Sequence, residues 1–184
     1  MSSLEQLYQQ VILDHYREKH GHGVRPPAPG LLEATSHQYN PLCGDEVTLQ
    51  VTVSPGGGPG GSPVVRDVAW VGEGCSISQA SSSVLHDLVV DQPVERAEQV
   101  VDAFRAMVRS RSAAEPDEEF LGDAVAFAGV GRHANRVKCA MLGWTAFEDA
   151  LHRALLPGPG PDGTREAGSA PAVSATAGEG EETR

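Results

Sequence analysis

From residue 46 to 53 the chain alternates without a break. Val47, Leu49, Val51 and Val53 fall on one side, Thr48, Gln50 and Thr52 on the other. Apolar groups at a period of two belong to an extended strand with one face buried, so this stretch is read as a strand. Residues 54–63 are glycine and proline apart from two serines, too irregular for a tight primed turn. Val64 to Val71 then resumes β-branched character with Trp70 near its end, which predicts a hairpin with a long loop. The loop lacks the Lys-Ser/Thr pair and the following helix of a phosphate cradle, so a P-loop is excluded. Leu31 to Tyr39 is expected to add a third strand, although its periodicity is weak.

Outside this region the period changes to that of a helix. Leu4, Leu7, Tyr8, Val11, Ile12 and His15 form a stripe over residues 3–18, with His15 read as a structural histidine on the apolar face. His20-Gly21-His22-Gly23, followed by Arg25-Pro26-Pro27, reads as a loop rather than a metal site. Ile77, Ala80, Ser81, Val84 and Leu88 predict a helix entered through Cys75. A second helix, opened by Pro93 as an N1 proline, carries Val94, Ala97, Val101, Phe104 and Val108 inward. A charged connector, 110–119, and a short apolar segment ending near Val130-Gly131 lead into a last helix over about 133–155. Its stripe is Val137, Met141, Trp144, Phe147 or Glu148, Leu151 and Leu155. Beyond residue 156 the composition collapses to glycine, proline and alanine with acidic residues. The expected organisation is therefore one folded domain, 1–156, and a disordered tail, 157–184.

The residues that carry chemistry are few. Asn40-Pro41-Leu42-Cys43-Gly44-Asp45 sets a thiol and a carboxylate two residues apart around a glycine, on a corner where both can aim at one point. Cys75 is expected at a helix N-terminus, where unpaired N–H groups and the helix dipole favour a thiolate. Cys139 lies about 160° around its helix from Met141, on the face of Arg132, Arg136, Gly143 and Ala146. It is therefore expected to serve a site rather than the Trp144 core, the alternative being that the small residues on this face let another helix pack there and bury Cys139. Cys43, Asp45, Cys75 and Cys139 would make a tetrahedral zinc set of three sulfurs and one oxygen. Such a set leaves a net charge of about −2, which Arg132, Arg136 and Lys138 beside Cys139 would offset. The spacing lacks the short Cys-x-x-Cys pair of a zinc finger, so placement carries the reading.

Composition narrows the function classes. A formal net charge of −11 excludes a general nucleic-acid binder, which needs a basic surface. Three cysteines at long spacings do not make a disulfide framework, and no stretch has the length and apolarity of a membrane span or a secretory leader. The expected location is the cytoplasm.

Four motifs carry a family likeness. Leu7-Tyr8 with Val11-Ile12-Leu13-Asp14-His15-Tyr16, the Asn40–Asp45 stretch, Gly72-Glu73-Gly74-Cys75-Ser76-Ile77-Ser78, and Arg136-Val137-Lys138-Cys139-Ala140 together resemble the NifU/IscU-like iron–sulfur assembly proteins, and among them the SufU branch. The resemblance spans about residues 4–155. It implies an α+β fold, a small antiparallel sheet of about three strands with helices packed on one side, similar to IscU and SufE. It also implies a zinc-dependent sulfurtransferase that takes persulfide sulfur from a SufS-type cysteine desulfurase and passes it toward a SufBCD-type scaffold. Cys43 would be the acceptor, Cys43, Asp45, Cys75 and Cys139 the zinc ligands, and Arg136 a catalytic residue orienting or charge-compensating the site. The alternative is an IscU-like scaffold that binds iron or an iron–sulfur cluster on the same ligands. Scaffolds of that kind carry a histidine before the third cysteine and a Leu-Pro-Pro-Val-Lys motif. Here Lys138 precedes Cys139 and the motif is absent.

Overall fold

Ser2 and Glu5 stand three residues apart and cap each other. Glu5 N–H donates to Ser2 Oγ at 3.2 Å, while Ser2 N–H donates to the Glu5 carboxylate at 2.8 Å. This capping box opens α1, Ser3–Glu18, in a computed structural model that describes residues 2–110 and 116–156. The remaining elements are β1 Leu32–Asn40, β2 Asp45–Ser54, β3 Val64–Glu73, α2 Ser76–Val89, α3 Val94–Arg109, α4 Glu118–Leu121, a 3₁₀ segment Gly122–Arg132 and α5 Ala134–Leu155. The expected tail, 157–184, and part of the charged connector, 111–115, lie outside the described residues.

The three strands form an antiparallel meander in the order β1-β2-β3. In β2 the sequence alternation becomes burial, since Val47, Leu49, Val51 and Val53 are all inside. β1 is a full strand of nine residues despite its weak pattern, because its inward positions are the small or polar Ala34, Ser36 and Asn40. β3 loses strict alternation at a bulge: Thr52 pairs with Asp67 and Val53 with Val65, leaving Arg66 as the extra residue. A Cβ at Gly72 would come within 2.2 Å of the Glu46 carbonyl oxygen, so glycine is what lets β2 and β3 stay paired there.

Helices cover one side of the sheet, α5 across β1 and β2, and α2 beside β3. Phe104 of α3 stacks on Trp144 of α5 at 3.9 Å between ring centroids, and Phe127 of the 3₁₀ segment meets Phe104 edge-on at 5.9 Å. Trp144 Nε1 donates to Ser81 Oγ at 2.8 Å, and Ser81 in turn donates to the Ala140 carbonyl at 2.7 Å, so the buried indole N–H is satisfied. α2 approaches α5 closely enough that a Cβ on Gly143 would lie 2.4 Å from Ser82 Oγ. Two sequence expectations need adjustment. Pro93 stands at the N-cap of α3, just outside the first turn, and not at N1. α5 buries more than the Trp144 stripe: Cys139, Gly143 and Ala146 are inside as well, because small residues admit α2.

His15 is the structural residue its stripe predicts. It is 6 % exposed, with Nδ1 2.9 Å from Ser83 Oγ and Nε2 3.1 Å from Asp123, and so joins α1 to α2 and to the 3₁₀ segment.

Candidate metal centre

Asn40 and Asp45 are paired residues closing the β1–β2 hairpin, and Pro41 to Gly44 make its turn. The Asn40 carbonyl accepts the N–H of Cys43 at 3.3 Å and of Gly44 at 2.9 Å, and Gly44 takes φ +76°, a left-handed value that glycine adopts without strain. The turn lifts Cys43 to an exposed tip while leaving Asp45, the first residue of β2, 3 % exposed. The proline and glycine read in the sequence as a corner are thus the ends of a hairpin turn.

α5 brings Cys139 against this turn. Cys43 Sγ and Cys139 Sγ are 3.2 Å apart, and one ligand atom each from Cys43, Asp45 and Cys139 lie within 4.8 Å of one another. Cys75 approaches from the other side as the N-cap of α2. Its N–H donates to Asp45 Oδ1 at 3.1 Å and its thiol to Asp45 Oδ2 at 3.3 Å. It touches Asp45 but is not in the mutual cluster of Cys43, Asp45 and Cys139. The helix N-terminus expected to act on the Cys75 thiol is in fact answered by the Asp45 carboxylate, the usual partner of free N–H groups there. A Cβ at Gly74 would sit 2.8 Å from Asp45 Cγ and 2.6 Å from Ser78 Oγ, so Gly74 clears the space the carboxylate fills.

The electrostatics suit a cation. Burial pushes the Asp45 carboxyl up, yet hydrogen bonds from the Cys75 and Cys139 thiols and from the Cys75 N–H outweigh it and hold it below the ordinary carboxylate value. Burial first, then hydrogen bonds to Cys43 and Asp45, push the Cys139 thiol well above the ordinary thiol value. A buried thiol beside a carboxylate ionises readily only when a positive charge joins it. Two sulfurs and a carboxylate converging, with a third sulfur on the same carboxylate, match the donor types and number of a tetrahedral S/O zinc site. Arg136 is exposed on the first turn of α5, one turn ahead of Cys139. Among the described residues it makes no hydrogen bond or ion pair.

One residue of the centre escaped the sequence reading. Asn40 is 5 % exposed and its side-chain nitrogen lies 3.0 Å from Cys43 Sγ and 3.8 Å from Cys139 Sγ. The available signal was its place immediately before Pro-Leu-Cys, where asparagine commonly starts a turn through its own side chain.

Known proteins resemble this chain over most of its length. The model of the NifU-like N terminal domain family matches residues 7–152. An iron–sulfur cluster assembly scaffold protein, IscU, of Streptococcus pyogenes serotype M1 is 35 % identical over 153 residues, covering 83 % of this chain and 87 % of the relative. A zinc-dependent sulfurtransferase, SufU, of Bacillus subtilis strain 168 is 33 % identical over 151 residues, covering 82 % and 92 %. Among solved structures, one from Fervidobacterium islandicum, described as a candidate iron–sulfur cluster assembly scaffold protein for the SUF system, superposes with a TM-score of 0.62. Its identity is 28 %, and the match covers 82 % of this chain and 99 % of that one.

Proposed function

The chain belongs to the family of NifU-like N-terminal domains, and on that premise we propose that it is a zinc-dependent sulfurtransferase of iron–sulfur cluster assembly. The observation that carries the reading is the convergence of Cys43, Asp45 and Cys139, with Cys75 on the same carboxylate. Cys43, Asp45, Cys75 and Cys139 hold the ion. Bound Zn²⁺ supplies the positive charge that keeps these thiols ionised at neutral pH. Cys43 is the sulfur acceptor because it alone combines membership of the cluster with an exposed position on a turn. Its sulfur attacks the outer sulfur of a donor persulfide. The donor S–S bond breaks, the donor cysteine leaves as a thiolate, and a persulfide forms on Cys43 with no net oxidation.

A SufS-type cysteine desulfurase as donor and a SufBCD-type scaffold as destination follow from the likeness to a named zinc-dependent sulfurtransferase. Tyr39 and Leu42, both exposed beside Cys43, give a donor protein something apolar to seat against. Arg136 supplies exposed positive charge near the centre for the incoming persulfide. No described helix is long and apolar enough to cross a membrane, and free thiols suit the reducing cytoplasm in which we place the protein. The second reading, a scaffold that takes iron as cargo, is favoured by the relative named for that role. Lys138 before Cys139, where such scaffolds carry histidine, favours transfer.

The test is mass spectrometry of the full chain after incubation with a cysteine desulfurase and cysteine. One added sulfur on the Cys43 peptide, in a colourless protein holding about one zinc, is the expected result. Sulfur on Cys75 or Cys139 with a fully active Cys43→Ser would overturn the acceptor, and a brown, iron-bearing protein would select the scaffold. Arg136→Ala should slow sulfur uptake with zinc content unchanged; an unaltered rate would remove Arg136 from the centre.

A further inference from the structure

We propose that Asn40 is a positioning residue of the thiol centre, its side-chain amide donating N–H to the Cys43 and Cys139 sulfurs and holding both toward one point. The inference rests on the reading of these thiols as metal ligands. Asn40 carries three tasks through three groups. Its backbone carbonyl accepts the N–H groups of Cys43 and Gly44, which closes the turn. Its side-chain oxygen accepts the Leu42 N–H at 3.2 Å, an Asx turn inside the hairpin. That bond also fixes which end of the amide is which: with Oδ1 on a donor, Nδ2 is the end that faces sulfur. Nδ2 then meets Cys43 Sγ at 3.0 Å and Cys139 Sγ at 3.8 Å, two hydrogens toward two sulfurs.

The environment makes these bonds count. Asn40 is 5 % exposed and Cys139 equally buried, so water competes poorly for either. The two sulfurs come from the hairpin and from α5, 96 residues apart in sequence. The amide bridges them independently of any bond between the two elements' backbones. Once the sulfurs are ionised, an N–H directed at each withdraws electron density from it and fixes its lone pairs. Hydrogen-bonded groups behind metal ligands commonly do this, and their loss typically weakens metal binding by about 10–100-fold.

Two replacements separate this role from turn formation. Asp at 40 keeps the shape and an oxygen for Leu42 N–H but has no N–H for sulfur. Ser keeps a short acceptor for the turn, is uncharged, and does not reach the sulfurs. The probe is Co²⁺ added to the metal-free full chain, read by affinity and by the thiolate-to-cobalt charge-transfer absorption. Asn40→Asp and Asn40→Ser should each bind Co²⁺ about 10-fold or more weakly, with the band moved to lower energy and the far-ultraviolet circular dichroism unchanged. Unchanged affinity and band in both would overturn the proposal.

Nitrogen-15 NMR of the wild type supplies a readout that needs neither a folded Asn40 variant nor a metal. The Asn40 side-chain amide protons should lie apart from those of exposed Asn135, the chain's other asparagine, and should move in Cys43→Ser and Cys139→Ser. Amide protons that coincide with those of Asn135 and ignore both cysteine variants would overturn the proposal even where a variant fails to fold. A wild type that takes no cobalt would instead overturn the metal reading of the centre, with the NMR result still deciding Asn40.

Discussion

Among the described residues, two clusters bring metal-ligating atoms within reach of a single ion: Cys43, Asp45 and Cys139 at the hairpin, and His15, His20 and Asp87 where α1 meets α2. They differ in what their atoms already do. In the second, His15 Nε2–H donates to Asp123 while Nδ1 takes the Ser83 hydroxyl, and Ser83 also accepts the His20 backbone N–H. His20 faces carboxylates with both ring nitrogens, Asp87 at 2.6 Å and Glu18 at 2.9 Å, so both nitrogens donate and the ring is a cation held between two anions. Every ring nitrogen there has a protein partner. At the hairpin the sulfurs face each other, with one amide and one carboxylate for company, and sulfur is a weak acceptor with lone pairs to spare. Ligand atoms with lone pairs not already engaged, more than proximity, favour the hairpin cluster as the proposed metal centre, and the histidine cluster is a tie between helices.

The sharpest way to break this comparison is to count metal. Cys43→Ser and Cys139→Ser should each cut bound zinc from about one per chain to a small fraction, because a tetrahedral site rarely survives loss of a thiolate. His15→Ala and His20→Ala should keep the full amount. Metal lost from the histidine variants and retained in the cysteine ones would exchange the roles assigned to the two clusters.

The next effect falls on stability. His15→Ala removes a buried ring and leaves the buried Ser83 hydroxyl without its acceptor, and should cost about 2–4 kcal/mol in a denaturant titration. A cost near zero would mean that the tie holds nothing. Asp45→Ala stands between the two kinds of effect. It should release part of the zinc and, by leaving the Cys75 N–H without its acceptor, lower stability by about 1–3 kcal/mol. Full zinc retention in that variant would take Asp45 out of the ligand set.

The smallest expected effect is a pH dependence. The hydrogen bond to Asp87, the largest contribution, and the Glu18 pair raise the His20 pKa above its ordinary value. A raised folded value means that the contribution is fully present below the unfolded histidine pKa of about 6.5. It is lost as pH climbs through the folded value. The melting-temperature advantage of the wild type over His20→Gln should therefore be widest near pH 6 and narrow steadily in alkaline buffer. The side chain is 37 % exposed, so the difference is modest. An advantage that widens with pH would contradict the charged clasp.

Sequence and structure parted company at specific residues. Val47 to Val53 announced a strand because four branched or aliphatic side chains alternate and all four are buried. β1 was faint because what it turns inward is Ala34, Ser36 and Asn40, and burial of polar groups leaves no hydrophobic rhythm. Ser36 is there to donate to Asp149 of α5 at 2.6 Å, a long-range partner that no local pattern predicts. The proposed ligand residues stood out as rare residue types, Cys43 and Asp45 around a glycine, Cys75 ahead of a helix and Cys139 off a helix stripe. Asn40 was not, because an asparagine before a proline reads as a turn former, and its second task depends on a helix about a hundred residues downstream. Cys139 was placed off the Trp144 stripe correctly. That the same face would be covered by serines of α2 depended on how closely two helices approach, which small residues permit but do not dictate.

The centre draws one sulfur from the hairpin and another from the last helix, 96 positions apart. On a ribosome adding about 5–20 residues per second, Cys43 emerges roughly 5 to 20 s ahead of the thiol that faces it. During that interval the nascent chain offers only an unpaired cysteine on a hairpin. Only a chain in which α5 has reached the sheet has both sulfurs in place, so under the proposed function metal loading would wait for finished synthesis.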